Sequence, residues 1–265
     1  MIARIFPRKT AATPLDEHAY VGGPPLWAES YELAMISVTF TWDIERGRQL
    51  QKEWSHYCHT EIGGPAFGDA VGDFEPGKFL APGYVITSRG CPKQCPWCAV
   101  PNREGALREL PITEGWRVQD NNLLACSRSH IEAVFEMLRR QPLAASFPGG
   151  LDIDYLQPWH ADLLKSVKAG VVFVACDSWA DIDKLDKAHD LLGDIPISRR
   201  MCYVLIGYHG DTPDAAQRRC EAVLKKGFLP FAMLYRDEAA TPRTISWKRI
   251  QRKWCRPALY RKGRH

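Results

Sequence analysis

Three cysteines in one short stretch are the side chains of this sequence best suited to metal chemistry. They are Cys91, Cys95 and Cys98, spaced C-x3-C-x2-C, and Trp97 stands directly before the last thiol. Two prolines inside the stretch disfavour a helix and favour a loop. Thiolates are ligands of iron–sulfur clusters and of zinc. Because a structural zinc site is closed by four ligands, three cysteines indicate a metal centre with one open position.

A second interpretation of the same cysteines stays open at this point. They could bind zinc together with a fourth, distant residue, or carry no metal. The chain has nine cysteines, an odd number, and its first ten residues lack the features of a secretory signal peptide, so we expect metal-binding thiols in place of disulfides. No apolar run approaches the roughly 20 residues that span a bilayer. These features predict a cytoplasmic protein without a membrane segment.

The chain alternates between apolar strands and amphipathic helices from residue 84 onward. Strands that alternate with helices pair in parallel. The pattern therefore predicts an α/β fold, and the six strand–helix repeats fit an open (β/α)6 partial TIM barrel. The predicted strands are 84–87, 116–119, 144–147, 171–176, 201–206 and 229–234, and the predicted helices lie near 129–140, 155–167, 179–192 and 213–226.

A smaller α/β unit is expected before the barrel. Residues 35–41 read as a strand, 44–57 as a helix with Asp43 as its N-cap, and 60–62 as another strand. This is a Rossmann-like βαβ fragment. We therefore divide the chain into an N-terminal α/β cap at 1–78, a barrel core at 79–238 and a basic C-terminal helix or tail at 239–265.

The C-terminal tail has a strong charge bias. From Arg243 to Arg264 it holds nine Lys or Arg and no acidic residue, interleaved with Trp247, Trp254 and Tyr260. Such a segment could contact nucleic acid. The alternative, which we favour, is a helix whose aromatic side chains dock on the core while its cations stay in water.

Polar residues and glycines follow the predicted strands, at the end of the barrel where α/β barrels carry their sites. Asp-Asn-Asn at 120–122 can accept hydrogen bonds from an ammonium or a ribose hydroxyl. Glycines let a ligand approach the backbone closely. The resulting candidates are Asp120, Asn121, Gly149, Gly150, Asp177 and Gly207.

The strand followed by the C-x3-C-x2-C loop, with an aromatic residue before the third cysteine, resembles the cluster loop of radical S-adenosylmethionine (SAM) enzymes. The resemblance covers about residues 83–236. It implies that Cys91, Cys95 and Cys98 hold a [4Fe-4S] cluster whose open iron binds SAM. It also implies that an external donor of the flavodoxin or ferredoxin type reduces the cluster. SAM is then cleaved to methionine and a 5′-deoxyadenosyl radical, which abstracts hydrogen from the substrate.

The strand ends carry further parts of this resemblance. Residues 147–152 resemble the Gly-Gly-Glu motif that contacts the SAM amino group, although Leu151 replaces the acid and Asp152 follows it. Asp177 matches the residue that contacts the ribose, and residues 205–212 resemble the Ile-Gly-x-x-Gly-x-Thr turn on the adenine side. The stretch 120–122 stands where related subfamilies have Asp-Asp-x-Phe. The six candidates are therefore expected to bind SAM.

The N-terminal unit resembles part of the cobalamin-binding domain found before many radical SAM cores. It lacks the Asp-x-His-x-x-Gly signature, so we do not expect cobalamin. Arg103, Tyr235 and Arg236 are the substrate-binding candidates, while the substrate and the reaction outcome stay open. Two alternatives without SAM chemistry remain: a metal-stabilised nucleic-acid-binding protein and an electron-transfer protein.

Overall fold

The N-terminal part of the chain builds a small parallel sheet. The computed structural model describes residues 1–26, 30–69, 74–167, 169–236 and 244–257. The first elements are strands β1 (Ile2–Phe6), β2 (Ala19–Val21) and β3 (Leu33–Ser37), helix α1 (Ile44–Trp54) and strand β4 (His59–Gly63). The four strands pair in parallel in the order β2-β1-β3-β4. The predicted strand–helix–strand unit is present as β3-α1-β4, and β1 and β2 extend its sheet beyond the predicted fragment.

Asp43 does not act as the N-cap that its position suggested. Its side chain makes no capping hydrogen bond at the start of α1. The buried carboxylate instead accepts hydrogen bonds from Nε and Nη2 of Arg8, with Nε 2.6 Å from Oδ2. A bidentate, charge-assisted pair is stronger than a single bond from a backbone amide. The carboxylate therefore ties the segment after β1 to α1.

The larger sheet has six parallel strands whose spatial order follows the chain. Its strands are β5 (Tyr84–Val85), β8 (Arg117–Val118), β9 (Ala145–Phe147), β10 (Ala169–Cys176), β11 (Arg200–Ile206) and β12 (Leu229–Leu234). The other elements after residue 83 are β6 (Ser88–Arg89), α2 (Val100–Glu104), β7 (Arg108–Glu109), α3 (Arg128–Arg139), α4 (Pro158–Ser166), α5 (Lys184–Leu191), α6 (Pro213–Lys225) and α7 (Ile245–Trp254).

Four of the five crossovers between neighbouring strands contain a helix of eight or more residues, as the sequence pattern predicts. The helix starts are set locally: Ser127 accepts a hydrogen bond from the His130 N–H, and Thr212 accepts one from the Ala215 N–H. Pro213 occupies the first turn of α6, where its missing N–H costs nothing. The α/β class with parallel strands is thus confirmed.

Two separate hydrophobic clusters support the two sheets. One lies in the N-terminal unit around Ile5, Leu50 and Trp54, and the other spans β5 to α7. The two parts also touch, since the Arg236 guanidinium after β12 lies over the Trp42 ring of the N-terminal unit. None of the described helices combines the length and apolar character needed to cross a membrane.

Helix α7 carries the tail aromatics into the core, as we favoured. Trp254 is buried, and Trp247 packs against the larger cluster. The cations of α7 stay exposed. Arg243 and Tyr260 lie outside the described residues.

His160 makes the stability of the fold pH-dependent. It is buried in α4, and its Nδ1 accepts a hydrogen bond from the Gln157 N–H at 3.0 Å, which requires a neutral ring. Burial, with help from nearby Arg128, lowers the pKa of His160 from 6.5 to about 4. Between pH 6.5 and about 4, His160 therefore binds a proton in the unfolded chain and stays neutral in the folded chain. The free energy of unfolding present above pH 6.5 is consequently lost as pH falls towards 4. Between pH 7 and pH 5 the loss should be about 2 kcal/mol.

His160→Gln removes this titration and keeps a side chain that can complete the reciprocal cap. We expect the variant to lose about 2 kcal/mol less free energy of unfolding than wild type between pH 7 and pH 5. Urea unfolding at the two pH values measures the difference. Parallel pH dependence of the two proteins would contradict the assignment.

Candidate metal and cofactor site

The three cysteines lie on one loop that is closed at its base. Strands β6 and β7 pair in antiparallel fashion, Ser88 opposite Glu109 and Arg89 opposite Arg108. Between them the chain leaves the carboxyl end of β5, passes the cysteines, forms α2 and returns. Such pairing holds the ends of an 18-residue excursion, residues 90–107, so the thiols have a fixed base.

The thiols are half-buried and influence one another. The Cys98 N–H donates to the Cys95 carbonyl oxygen at 3.0 Å, which forms a tight turn between the second and third thiols. Burial raises the pKa of Cys95 and of Cys98, and the neighbouring thiols, including Cys91, raise it further. Metal binding at this loop would therefore displace protons.

The donor set fits a thiolate-ligated cluster in its chemistry. Three thiols share one loop, and Asn122 Nδ2 donates to Cys91 Sγ at 3.4 Å, the kind of N–H···S bond that tunes iron–sulfur centres. Within the described ranges, however, no group of three or more His, Cys, Asp or Glu side chains is arranged so that it could hold a metal ion. The thiols are suitable ligands whose placement does not by itself form a metal site.

Asp120 lies beneath the loop and holds its first residues. The carboxylate accepts hydrogen bonds from the Thr87 N–H at 2.7 Å, the Thr87 hydroxyl at 2.6 Å and the Ser88 hydroxyl at 2.8 Å. Burial raises the pKa of Asp120, and these hydrogen bonds oppose the rise. With only 2% of its surface exposed, Asp120 supports the loop from within.

The two asparagines after Asp120 contact the loop directly. Asn121 Oδ1 accepts a hydrogen bond from the Gly90 N–H at 3.0 Å, one residue before Cys91. Asn122 Nδ2 reaches Cys91 Sγ and also Asp152 Oδ2 at 3.0 Å. Asn122 Oδ1 is buried and has no hydrogen-bond partner among the described residues. The predicted Asp-Asn-Asn end of the second strand is therefore built into the cysteine loop.

Lys93 links the loop to the segment that follows β9. Its Nζ lies 2.8 Å from Asp152 Oδ1 and 2.7 Å from Asp154 Oδ2. Lys184 continues the network, 2.9 Å from Asp154 and 3.1 Å from Asp181. Burial alone would lower the pKa of Lys93, but the hydrogen bonds to the two aspartates outweigh it and raise the pKa. Lys93 is thereby kept charged between the two aspartates, and Lys184 extends the network to Asp181 after β10.

Gly149 and Gly150 lie where the ends of β8 and β9 approach each other closely. A methyl group on Gly149 would overlap the Asp120 carbonyl oxygen, so the end of β9 passes directly against the end of β8. Gly150 has a φ of +91° and lies near Tyr203. Tyr203 donates to the Pro148 carbonyl oxygen at 2.8 Å, which fixes the same turn.

Asp177, at the end of β10, interacts with the aromatic residue of the cysteine loop. Burial raises the pKa of Asp177 to about 6, Asp181 adds to the rise, and a hydrogen bond from the Trp97 side chain opposes it. The Trp97 ring also meets Tyr208 edge-on, with centroids 5.5 Å apart. Trp97 therefore connects the loop with the ends of β10 and β11.

The turn after β11 forms a cavity of about 250 Å³. Gly207 has a φ of +75°, and its N–H donates to Asp211 Oδ2 at 2.8 Å. The buried Arg219 pairs with the same carboxylate at 2.9 Å, which holds the turn in place. The lining residues are Gly207, Tyr208, His209, Gly210, Asp211, Tyr235 and Trp247.

The three substrate candidates lie in different places. Tyr235 lines the cavity and meets Tyr208 edge-on at 4.9 Å. Arg236 lies over the ring of Trp42 at 4.1 Å and so reaches the N-terminal unit. Arg103 points back to the buried Glu104 carboxylate, 3.1 Å away, and helps close the cysteine loop.

Several contacts between the cysteine loop and the strand ends were not predicted. Lys93 stands inside the cysteine spacing, and Asp152 and Asp154 follow the Gly-Gly pair two residues apart, a charge pattern that could have suggested a link. Trp247 as a cavity residue had no local signal. Comparison with models of known protein families and with curated proteins found no match for this chain.

Proposed function

We propose that this chain is a radical SAM enzyme whose larger sheet is an open (β/α)6 partial barrel. Cys91, Cys95 and Cys98 would hold a [4Fe-4S] cluster, and SAM would bind between the loop and the strand ends. The observation that carries the proposal is the closed three-cysteine loop, tied by Asn122 and Lys93 to the neighbouring strand ends. Three thiolates on one loop leave one iron of a cubane free for another ligand.

The bound cluster and SAM would supply a one-electron reduction that generates the radical for hydrogen abstraction. The residues of this chain would bind and orient the cluster, SAM and the substrate, and would keep water out of the site. Asn122 positions Cys91 and offers its unpaired Oδ1 as an acceptor for the SAM ammonium. Asp177, at the end of β10, accepts a hydrogen bond from Trp97 of the cysteine loop and would face the bound SAM. An external one-electron donor and an unidentified substrate complete the proposal.

Metal analysis and electron paramagnetic resonance test the cofactor assignment. We expect anaerobically reconstituted protein to hold about four iron and four sulfide per chain. Adding SAM to the dithionite-reduced protein should change the resonance spectrum, because SAM would bind the open iron. Zinc without sulfide, or a spectrum that SAM leaves unchanged, would contradict the proposal and favour a zinc module or an electron carrier.

Removing the N–H···S bond should lower the reduction potential of this cluster. The N–H donor of Asn122 stabilises the reduced cluster, because that state carries more negative charge on its thiolates. Asn122→Leu removes this donor. A fall on the order of 30–60 mV is expected, since a one-electron couple changes by about 59 mV for each 1.4 kcal/mol. Potentiometric titration measures it. Asn121→Leu is the matched control, because Asn121 bonds a backbone N–H and should leave the potential nearly unchanged.

A further inference from the structure

Helix α7 and the residues that follow it present a row of cations without a carboxylate partner among the described residues. The exposed cations are Lys248, Arg249, Arg252 and Lys253 on α7 and Arg256 just after it. Residues 244–257 contain no acid, and none of these five cations pairs with a carboxylate among the described residues. The rest of the chain has no such excess of positive charge: outside 243–264 it has 26 Lys and Arg against 31 Asp and Glu. The positive charge of this protein is therefore local.

The opposite face of α7 is firmly docked. Trp254 is 3% exposed, and its indole N–H donates to Gln217 Oε1 of α6 at 2.7 Å. Trp247 and Ile250 pack against the larger hydrophobic cluster. A membrane-surface helix needs a free apolar face to insert into lipid, and this one is occupied. The helix is thus a rigid support that holds its cations towards solvent.

The basic face begins beside the cavity at the strand ends. Trp247 lines that cavity, and Lys248 is the next residue. Tyr208, His209 and Tyr235 supply three more rings to the same space. Cations that follow a phosphate backbone, next to aromatic rings that stack on bases, are the features by which proteins bind single-stranded nucleic acid.

We propose that the exposed face of α7 binds the phosphate backbone of a single-stranded nucleic acid and directs one of its bases to the cavity lined by Tyr235 and Trp247. Taking this nucleic acid as the substrate rests on the proposed function. Binding itself needs neither SAM nor electron transfer. An acidic peptide would match the cations but would leave the ring-lined cavity unused.

Fluorescence anisotropy with labelled single-stranded RNA, single-stranded DNA and duplex of about 20 nucleotides tests the proposal. The full chain, with its metal content measured and without SAM, is titrated at roughly 50 to 200 mM salt. The variant is Lys248→Gln, Arg249→Gln and Arg252→Gln combined. For three lost phosphate contacts, the slope of log affinity against log salt should fall by about 2, with affinity falling tenfold or more at low salt.

The matched control removes the same charge from exposed lysines elsewhere, as Lys9→Gln, Lys52→Gln and Lys187→Gln combined. It should bind nearly as wild type does. Tyr235→Leu should weaken binding about fivefold or more at every salt concentration and leave the slope unchanged, because it removes stacking and no charge. Comparing RNA with DNA identifies which backbone is preferred.

Three results would overturn the proposal: wild type that binds no single strand, equal weakening by both charge variants, or a Tyr235→Leu variant as tight as wild type. Phosphatidylserine vesicles that bind through the same three cations as tightly as RNA or DNA would assign the surface to lipid instead. Failure here is separable from failure of the proposed function. Protein that makes 5′-deoxyadenosine but binds no nucleic acid refutes only the surface, and the reverse result refutes only the SAM chemistry.

Discussion

Protein carrying Cys98→Ala is expected to lose its iron–sulfur cluster and all detectable SAM cleavage. The proposed cluster has three protein ligands, so removing one leaves two thiolates and exposes the iron to solvent. Iron and sulfide should fall from about four of each to less than about one per chain after reconstitution. Iron and sulfide assays with visible absorption measure this loss.

Cys58→Ala is the matched control for this prediction. Cys58 is also a free, half-buried thiol, but it lies just before β4 in the N-terminal unit. We expect this variant to keep the wild-type iron and sulfide content. Equal iron content in the two variants, or a Cys98→Ala protein that still cleaves SAM, would contradict the ligand assignment.

Gly149→Ala is expected to destabilise the fold by about 3 kcal/mol or more, at the upper end of overpacking costs. The new methyl group would overlap the carbonyl oxygen of Asp120. Asp120 cannot move away freely, because its side chain holds Thr87 and Ser88 under the cysteine loop. The clash would therefore disturb β8, β9 and the loop together. Urea unfolding measures the change in free energy.

Gly210→Ala separates this clash from the general cost of replacing a glycine. Gly210 has a φ of +73°, and nothing lies within 4 Å of a methyl group placed there. We therefore expect Gly210→Ala to lower the free energy of unfolding by about 1 kcal/mol, because only the strained backbone conformation opposes it. If Gly149→Ala were no more destabilising than Gly210→Ala, the close approach of the two strand ends would be wrong.

The alternation of strands and helices was largely predictable from the sequence. The apolar run predicted at 171–176 lies within β10, and the helices predicted near 129–140 and 213–226 are α3 and α6, which begin after the capping residues Ser127 and Thr212. These features are local, because a buried strand needs a continuous apolar run and a helix start needs an acceptor for its free amides. Curvature of the sheet into a partial barrel is not a local property, and it stays a prediction.

The pairing of β6 with β7 could not be predicted. Each strand has two residues, and three of the four are charged, so neither shows a hydrophobic period. Their pairing depends on the chain returning after the cysteine loop, where buried Glu104 meets Arg103 and Arg108. Strand β2 has three residues, too few to show a hydrophobic period, and it was not predicted either.

The candidate site was predictable in its position and less so in its contacts. Polar residues at successive strand ends do meet the cysteine loop, as expected for parallel strands. The sequence could not distinguish a carboxylate that binds a ligand from one that holds the loop. Asp120 is buried and holds the loop through Thr87. Nor could it pair Lys93 with Asp152, because the two are far apart in the chain and their contact depends on the register of the sheet.

Formation of 5′-deoxyadenosine tests the central claim most directly. Reconstituted wild-type protein is incubated anaerobically with dithionite and SAM, and the products are separated by liquid chromatography with mass detection. We expect 5′-deoxyadenosine and methionine in the wild-type reaction and neither above background when Cys91, Cys95 and Cys98 are all replaced by alanine. Wild-type protein with a full cluster that forms no 5′-deoxyadenosine, or a triple variant that forms as much as wild type, would contradict the claim.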